Sequence, residues 1–170
     1  MKIERIYVGA VSTKLQTERD DIVVVVGAGI EGDKYFDLHD EPGQNMTLVE
    51  AEEIESFLAE CGRSEDLSIT RRNLVTRGVK LNELVGKEFI VGEVKLRGVE
   101  LCEPCLGLGA ALATPSLPAA EVVKRLLHRA GLRADVLSGG AETCSLTTLN
   151  CLNNRSTQSG VPASTGRRGA

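Results

Sequence analysis

Apolar positions fall into two rhythms along this chain. Residues 2–8 (KIERIYV) and 22–26 (IVVVV) are rich in β-branched residues and bounded by Gly, Ser or Asp, which predicts two strands, the first half-buried. Met46 to Val49 is a further short apolar run, and it leads into a change of period. Ile54, Phe57, Leu58 and Cys61 lie at i, i+3, i+4 and i+7, so Glu50 to Cys61 is predicted as a helix with Gly62 as its stop. Thr47 and Glu50 have the spacing of a capping box at its start. Segments 74–76, 88–91 and 94–99 read as strands, and Gly92-Glu93 between the last two is a Gly-X turn suited to a tight hairpin. Ser116 to Ala130 reads as a second helix, with Pro118 in its first turn and Gly131 at its end. One face carries Val122, Val123, Leu126, Leu127 and Ala130; the other carries Lys124, Arg125, His128 and Arg129. Leu132 to Leu137 returns to strand-like composition. Strands outnumber helices and do not alternate regularly with them, which favours an α+β, predominantly β fold with a barrel-like sheet over a doubly wound one.

After Gly140 the composition turns to Ser, Thr, Asn, Gly and Arg with little periodicity, so a disordered tail is expected from about residue 153. The expected organisation is one domain over 1–150 and a tail over 151–170. A chain of 170 residues is long enough to bury a substantial core without staples. The net charge of -4 speaks against a general nucleic-acid binder, because that affinity comes from many Lys and Arg contacts to phosphate. Any anion bound here needs a local basic site. The five cysteines, Cys61, Cys102, Cys105, Cys144 and Cys151, are odd in number and irregular in spacing, which predicts mostly free thiols in a reducing cytosol. Glu4 and Arg5 interrupt the start of the chain, so it lacks the apolar centre of a signal peptide, and no run approaches a membrane span. A cytoplasmic protein with no membrane partner is expected.

Three patterns carry chemistry. Gly27-Ala28-Gly29-Ile30-Glu31-Gly32 is formally G-x-G-x-x-G after an apolar run. A dinucleotide site needs its third glycine at the start of a long helix, and residues 33–43 show no helical stripe and a Pro-Gly break, so a Gly-rich turn is the better reading. Cys102-Glu103-Pro104-Cys105 is a C-x-x-C at the exit of a strand. That spacing serves thiol redox chemistry, half of a zinc site, a single soft metal ligand, or two structural cysteines. No second pair is present to complete a zinc site, and the helix that lowers a redox thiol's pKa is only partly matched by Leu106 to Leu112. Arg71-Arg72-Asn73, beside Ser68 and Thr70, suits a phosphate or anionic heterocycle through bidentate guanidinium bonds, with a solvated turn as the alternative. His39 and His128 are single, and neither is given a role.

Taken in order, Gly29 to Lys34, Gln44 to Glu50, Arg71 to Val75, Gly78-Val79, Leu84 to Lys87, Cys102 to Cys105, Arg129 to Ala134 and Gly139-Gly140 strongly resemble the MOSC family, the molybdenum cofactor sulfurase C-terminal domain. The resemblance implies a mixed β-barrel of the pyruvate-kinase-barrel kind with peripheral helices. It also implies that the cysteine at position 105 is either a direct molybdenum ligand or a sulfur carrier. Arg71 and Arg72 would hold the anionic end of the molybdenum cofactor, and Lys34, Asn45, Thr47, Ser68, Thr70 and Asn73 would help line its pocket; Cys102 would support rather than ligate. The activity implied is reduction of N-hydroxylated small molecules, with electrons from a partner protein because no flavin or iron-sulfur motif is visible. A persulfide carrier and a non-catalytic cofactor-binding module are the rivals. Pyridoxal phosphate, carried by the larger sulfurases in a separate domain, is not expected in this chain. Two departures stand out. Gly140 is followed by AETCSLTTLNCLNN where relatives have a strand and a Gly-Asp pair, leaving Thr143 to Leu149 as a possible substitute strand, and Tyr35-Phe36 stands where many relatives are polar.

Overall fold

The computed structural model describes residues 1–11 and 16–138. Its elements in chain order are β1 (Lys2–Gly9), β2 (Gln16–Arg19), β3 (Val24–Val25), β4 (Gly29–Ile30), β5 (Met46–Glu50), α1 (Ala51–Glu60), β6 (Leu74–Arg77), β7 (Glu88–Val91), β8 (Val94–Leu101), α2 (Leu106–Leu112), α3 (Ala119–Arg125) and β9 (Leu132–Ser138), with single 3-10 turns at Leu67–Thr70 and Leu81–Leu84. No helix among the described residues is long and apolar enough to cross a membrane.

Seven strands form one mixed sheet in the order β2-β1-β6-β5-β9-β8-β7. Only the β5–β6 pair is parallel, with α1 in the connection between them, and every other pairing in the sheet is antiparallel. The central strands are buried on both faces, as apolar runs without alternation require. Leu48, Leu74 and Leu132 point to one core, whereas their neighbours Val49 and Val75 point to the other, beneath the helices. In β1 a bulge between Ile3 and Arg5 shifts the register, so that Ile3 and Ile6 reach the same core despite their odd spacing. Ile6, Met46 and Leu74 from one half of the sheet meet Val91, Val94 and Leu96 from the other around an apolar void of about 10 Å³. The sheet is therefore strongly curled. Its edges are β2 and β7, so no hydrogen-bonded closure into a barrel is made among the described strands.

The second core lies under the helices. Ile54, Phe57 and Leu58 of α1 pack with Leu108 and Leu112 of α2 and with Val122 and Leu126 at the end of α3. The predicted period of α1 is thus the face it buries. The β7–β8 hairpin also forms as expected, with Val91 opposite Val94 and Gly92 at φ 62 in the turn.

Three local expectations are corrected. Residues 22–26 do not form a strand of the main sheet; Val24–Val25 pairs with Gly29–Ile30 in a small hairpin whose apolar residues fill the inner core. The glycines that follow behave as expected: Gly27 and Gly29 take φ 70 and 101, a Cβ on Gly29 would lie 2.5 Å from the Asn45 carbonyl oxygen, and they make a turn that no helix follows. The capping box does not form. Glu50 is the N-cap without a side-chain cap bond, and its carboxylate accepts from Leu81 N at 2.8 Å instead, while Thr47 lies in β5. The helix expected over 116–130 is shorter, because Leu126 ends α3 and His128 adopts φ 63; Leu126 and Ala130 are still buried, so the apolar stripe outlasts the helix. The Gly139-Gly140 pair, the substitute strand at Thr143 to Leu149, the domain limit at 150 and the tail over 151–170 lie outside the described residues.

Candidate functional site

A cavity of about 610 Å³ opens where the 33–47 segment, the turn before β6 and the C-x-x-C loop after β8 come together. Asn73 is the knot of its floor. Its side-chain oxygen accepts from Thr47 N at 3.0 Å and Thr47 Oγ1 at 2.8 Å, and its amide nitrogen donates to the Tyr7 carbonyl at 3.2 Å and to Asp33 Oδ2 at 3.0 Å. Asp33, itself buried, also accepts from Gly9 N at 2.9 Å and Tyr35 N at 3.0 Å. These bonds tie β1, β5, β6 and the 33–35 turn into one rigid base, so Asn73 has spent its hydrogen-bonding capacity on protein partners.

Cys105 is exposed on the cavity wall as the residue before α2. Burial pushes its thiol up, but the backbone N–H groups of Leu108 and Gly107 and the charge of Arg72 outweigh that and hold it below the ordinary thiol value. Arg72 is fixed for this task. Its Nε donates to the Ala130 carbonyl at 2.9 Å and its Nη2 to the Cys102 carbonyl at 3.1 Å, partners that carry no full negative charge. Cys102 behaves oppositely: burial drives its thiol up against the opposing pull of Arg72 and Arg133. The two cysteines of one motif are thus pushed in opposite directions, Cys105 toward its thiolate and the part-buried Cys102 toward its neutral thiol. The loop between them is anchored by Glu103, whose carboxylate accepts from His128 N at 2.9 Å and pairs with His128 Nδ1 at 2.6 Å.

Of the residues expected at the site, the cavity gathers Cys105, Arg71, Arg72, Asn73, Lys34, Thr47 and Thr70. Arg71, exposed and in the left-handed region at φ 58, makes no side-chain hydrogen bond or ion pair with the described residues. Lys34 extends its ammonium over the Tyr35 ring at 4.7 Å from the centroid. Thr70 turns inward and donates to the Leu67 carbonyl at 2.8 Å. Asn45 and Ser68 do not line the cavity. Asn45 donates to the Gly27 carbonyl at 3.0 Å and accepts from Val136 N at 3.1 Å, holding the small hairpin against β9, and Ser68 N donates to Asp66 in the 3-10 turn. Asp33, Arg133, Gln16 and Gln44 line the cavity and were not singled out from the sequence. Only the Asp within Gly32-Asp33-Lys34 offered a signal, since a carboxylate in a tight turn commonly bonds backbone N–H groups. The other three meet by tertiary folding.

A search of the curated proteins finds no match to this chain. Among solved structures, it is similar to the YuaD protein from Bacillus subtilis, with 21% identity and a TM-score of 0.73 over 85% of this chain and 91% of that one. YiiM from Geobacillus stearothermophilus (16% identity, TM-score 0.58, 82% and 69% of the two chains) and YiiM from Escherichia coli (16%, 0.58, 88% and 71%) share the fold more distantly. The model of the MOSC domain, a family associated with the molybdenum cofactor, matches residues 36–145, which span β5 to β9 and include both cysteines of the C-x-x-C loop and the Arg71–Arg72 pair. The chain belongs to the MOSC domain family.

Proposed function

We propose that this protein binds the molybdenum cofactor in the Cys105 cavity and uses it to reduce N-hydroxylated small molecules, with electrons from a partner protein. The observation that carries the reading is a thiol held toward its thiolate form on the wall of a cavity that also presents uncommitted cationic groups. Those features fit the group. Among the described residues no three His, Cys, Asp or Glu side chains cluster as a metal site, so a metal bound here brings most of its own ligands. A single soft thiolate is then the donor the protein must add. Cys105 supplies it, Arg71 and Lys34 are cations without a carboxylate partner among the described residues and would hold the anionic end, and Arg72 stabilises the thiolate while its own donors hold the loop. Bound there, molybdenum supplies two-electron oxygen-atom chemistry. The curled sheet supports the further reading that the fold is the family's barrel.

The exposure of Cys105 favours a second reading, in which its thiolate attacks the outer sulfur of a persulfide donor, takes that sulfur and releases the donor's thiolate. Elemental and pterin analysis of the protein purified from a cofactor-competent host separates the two. Near-stoichiometric molybdenum and pterin, sharply reduced in Cys105→Ala, is the result expected of the first. Absence of both, with an added sulfur on Cys105 by intact-mass measurement, would replace it with the second.

A further inference from the structure

The seven residues of α2 include no polar side chain. Leu108 and Leu112 spend its inner face on the second core. A surface helix ordinarily turns polar or charged residues outward, yet the outward positions here are Leu106, Gly107, Ala110 and Ala111, all exposed. Leu106, next to Cys105 in the chain, is 77% exposed.

α3 continues this apolar surface. It crosses α2 at Gly109, where a Cβ would stand 2.7 Å from the Ala119 carbonyl oxygen and 2.8 Å from Val123 Cγ2. The two bonds from His128 to Glu103 then bring the end of α3 back against the C-x-x-C loop. Leu127 lies one turn on from Val123, beside that join, and is 48% exposed. A single exposed leucine means little, but Leu106 and Leu127 flank one crossing at the loop that carries Cys105.

The charge around them has one sign left over. In a chain of net charge -4, residues 102–130 hold only Glu103 and Glu121 as acids, against Lys124, Arg125, Arg129 and His128. Both acids are answered within the segment, Glu103 by His128 at 2.6 Å and Glu121 by Arg125 at 3.2 Å, and Arg129 turns away to Glu53 of α1. Lys124, one turn before Leu127, is exposed and has no carboxylate partner among the described residues. A second copy of the chain answers this face poorly. Like charges would meet across a two-fold axis, and two leucines with one side of a short helix are too little for a permanent subunit contact of roughly 2,000 Å² or more. Transient redox encounters are smaller and draw on opposite charge.

We infer, on the cofactor reading above, that this face docks the electron donor, a small acidic redox protein whose apolar contact seats on Leu106 and Leu127 and whose carboxylates meet Lys124. Electrons then enter beside the thiolate that would hold the metal.

The test is a calorimetric titration of the protein, purified from a cofactor-competent host, with an acidic plant-type ferredoxin and, as the charge-reversed control, with basic cytochrome c. Ferredoxin should bind, less tightly as salt rises, and cytochrome c should not. Leu106→Glu and Leu127→Glu should each weaken the complex by about tenfold or more, and Lys124→Glu by less. All three side chains are at the surface, so the thermal midpoints should stay close to that of the unaltered protein, which separates loss of docking from loss of fold. Turnover of an N-hydroxylated substrate should fall in the leucine variants with ferredoxin as donor and persist with dithionite-reduced viologen. Ferredoxin bound equally by the double leucine variant, no binding of ferredoxin by the unaltered protein, or a dimer in sedimentation that Leu106→Glu dissolves would overturn the docking face. Protein that binds ferredoxin through these residues but carries no molybdenum upholds the face and sinks the metal reading. Molybdenum-loaded protein whose double variant still takes electrons from ferredoxin does the reverse.

Discussion

At the scale of single residues, Cys105 and Cys102 show how three positions in a loop produce two different thiols. A thiol pKa held down places thiolate at lower pH, so alkylation of Cys105 by iodoacetamide should reach half its maximal rate below the ordinary value near ~8.5, and Cys102 should do so above it. Arg72→Gln removes one of the influences that lower Cys105 and should move its midpoint up, whereas Arg72→Lys should retain part of the effect. Peptide mass spectrometry across pH reads both cysteines in one experiment, and an unmoved Cys105 midpoint in Arg72→Gln would remove Arg72 from the account. The reactive position was legible because a family motif ends on Cys105. The asymmetry was not, since the sequence shows two cysteines but neither the burial of Cys102 nor the two backbone N–H groups that face Cys105.

At the scale of elements, Glu50 at the end of β5 makes a join that the predicted capping box misassigned. Its carboxylate leaves the helix start alone and accepts from Leu81 N, with Lys80 Nζ 3.6 Å from its other oxygen. Burial raises its pKa above the usual carboxylate range, with the Leu81 N–H and Lys80 opposing. A raised folded-state value means the stability this group contributes is present at acid pH and declines as pH rises through it. Glu50→Gln keeps an acceptor for Leu81 and should flatten that dependence with little loss at neutral pH. Glu50→Leu leaves a buried N–H unpaired and should cost about 1–3 kcal/mol. Denaturant midpoints at acid and neutral pH check both, and equal stability of the Gln and Leu variants would contradict the bond's importance. The hairpin β7–β8 and the buried face of α1 were readable because local turn chemistry and period decide them. The 22–26 run was misread because its β-branched residues marked burial at Ile22 and Val24 but not pairing, which the glycines at 27 and 29 divert into a small hairpin.

At the scale of the whole molecule, the two cores share their strands. Leu48 and Val49 are consecutive in β5 yet face opposite cores, as do Leu74 and Val75 in β6. Damage to either core should therefore lower one common unfolding transition. Leu48→Ala and Ile54→Ala, each fully buried, should both cost about 2–5 kcal/mol in a single cooperative step. Separate calorimetric transitions would show that the cores are independent. The fold class was legible from the excess of strands, but the order β2-β1-β6-β5-β9-β8-β7 was not, because it depends on a parallel crossover and long-range pairings that leave no local mark. The cavity inherits that difficulty, since it joins β2, β5, β8 and β9 with the loops beside them.

The central claim is that Cys105 is the protein's ligand to molybdenum, and X-ray absorption at the molybdenum edge tests it most directly. Loaded unaltered protein should show a thiolate-type sulfur in the metal's first coordination shell that Cys105→Ser lacks, with the cofactor's own sulfurs unchanged. The same sulfur shell in both proteins, or no molybdenum in either after expression in a cofactor-competent host, would contradict it.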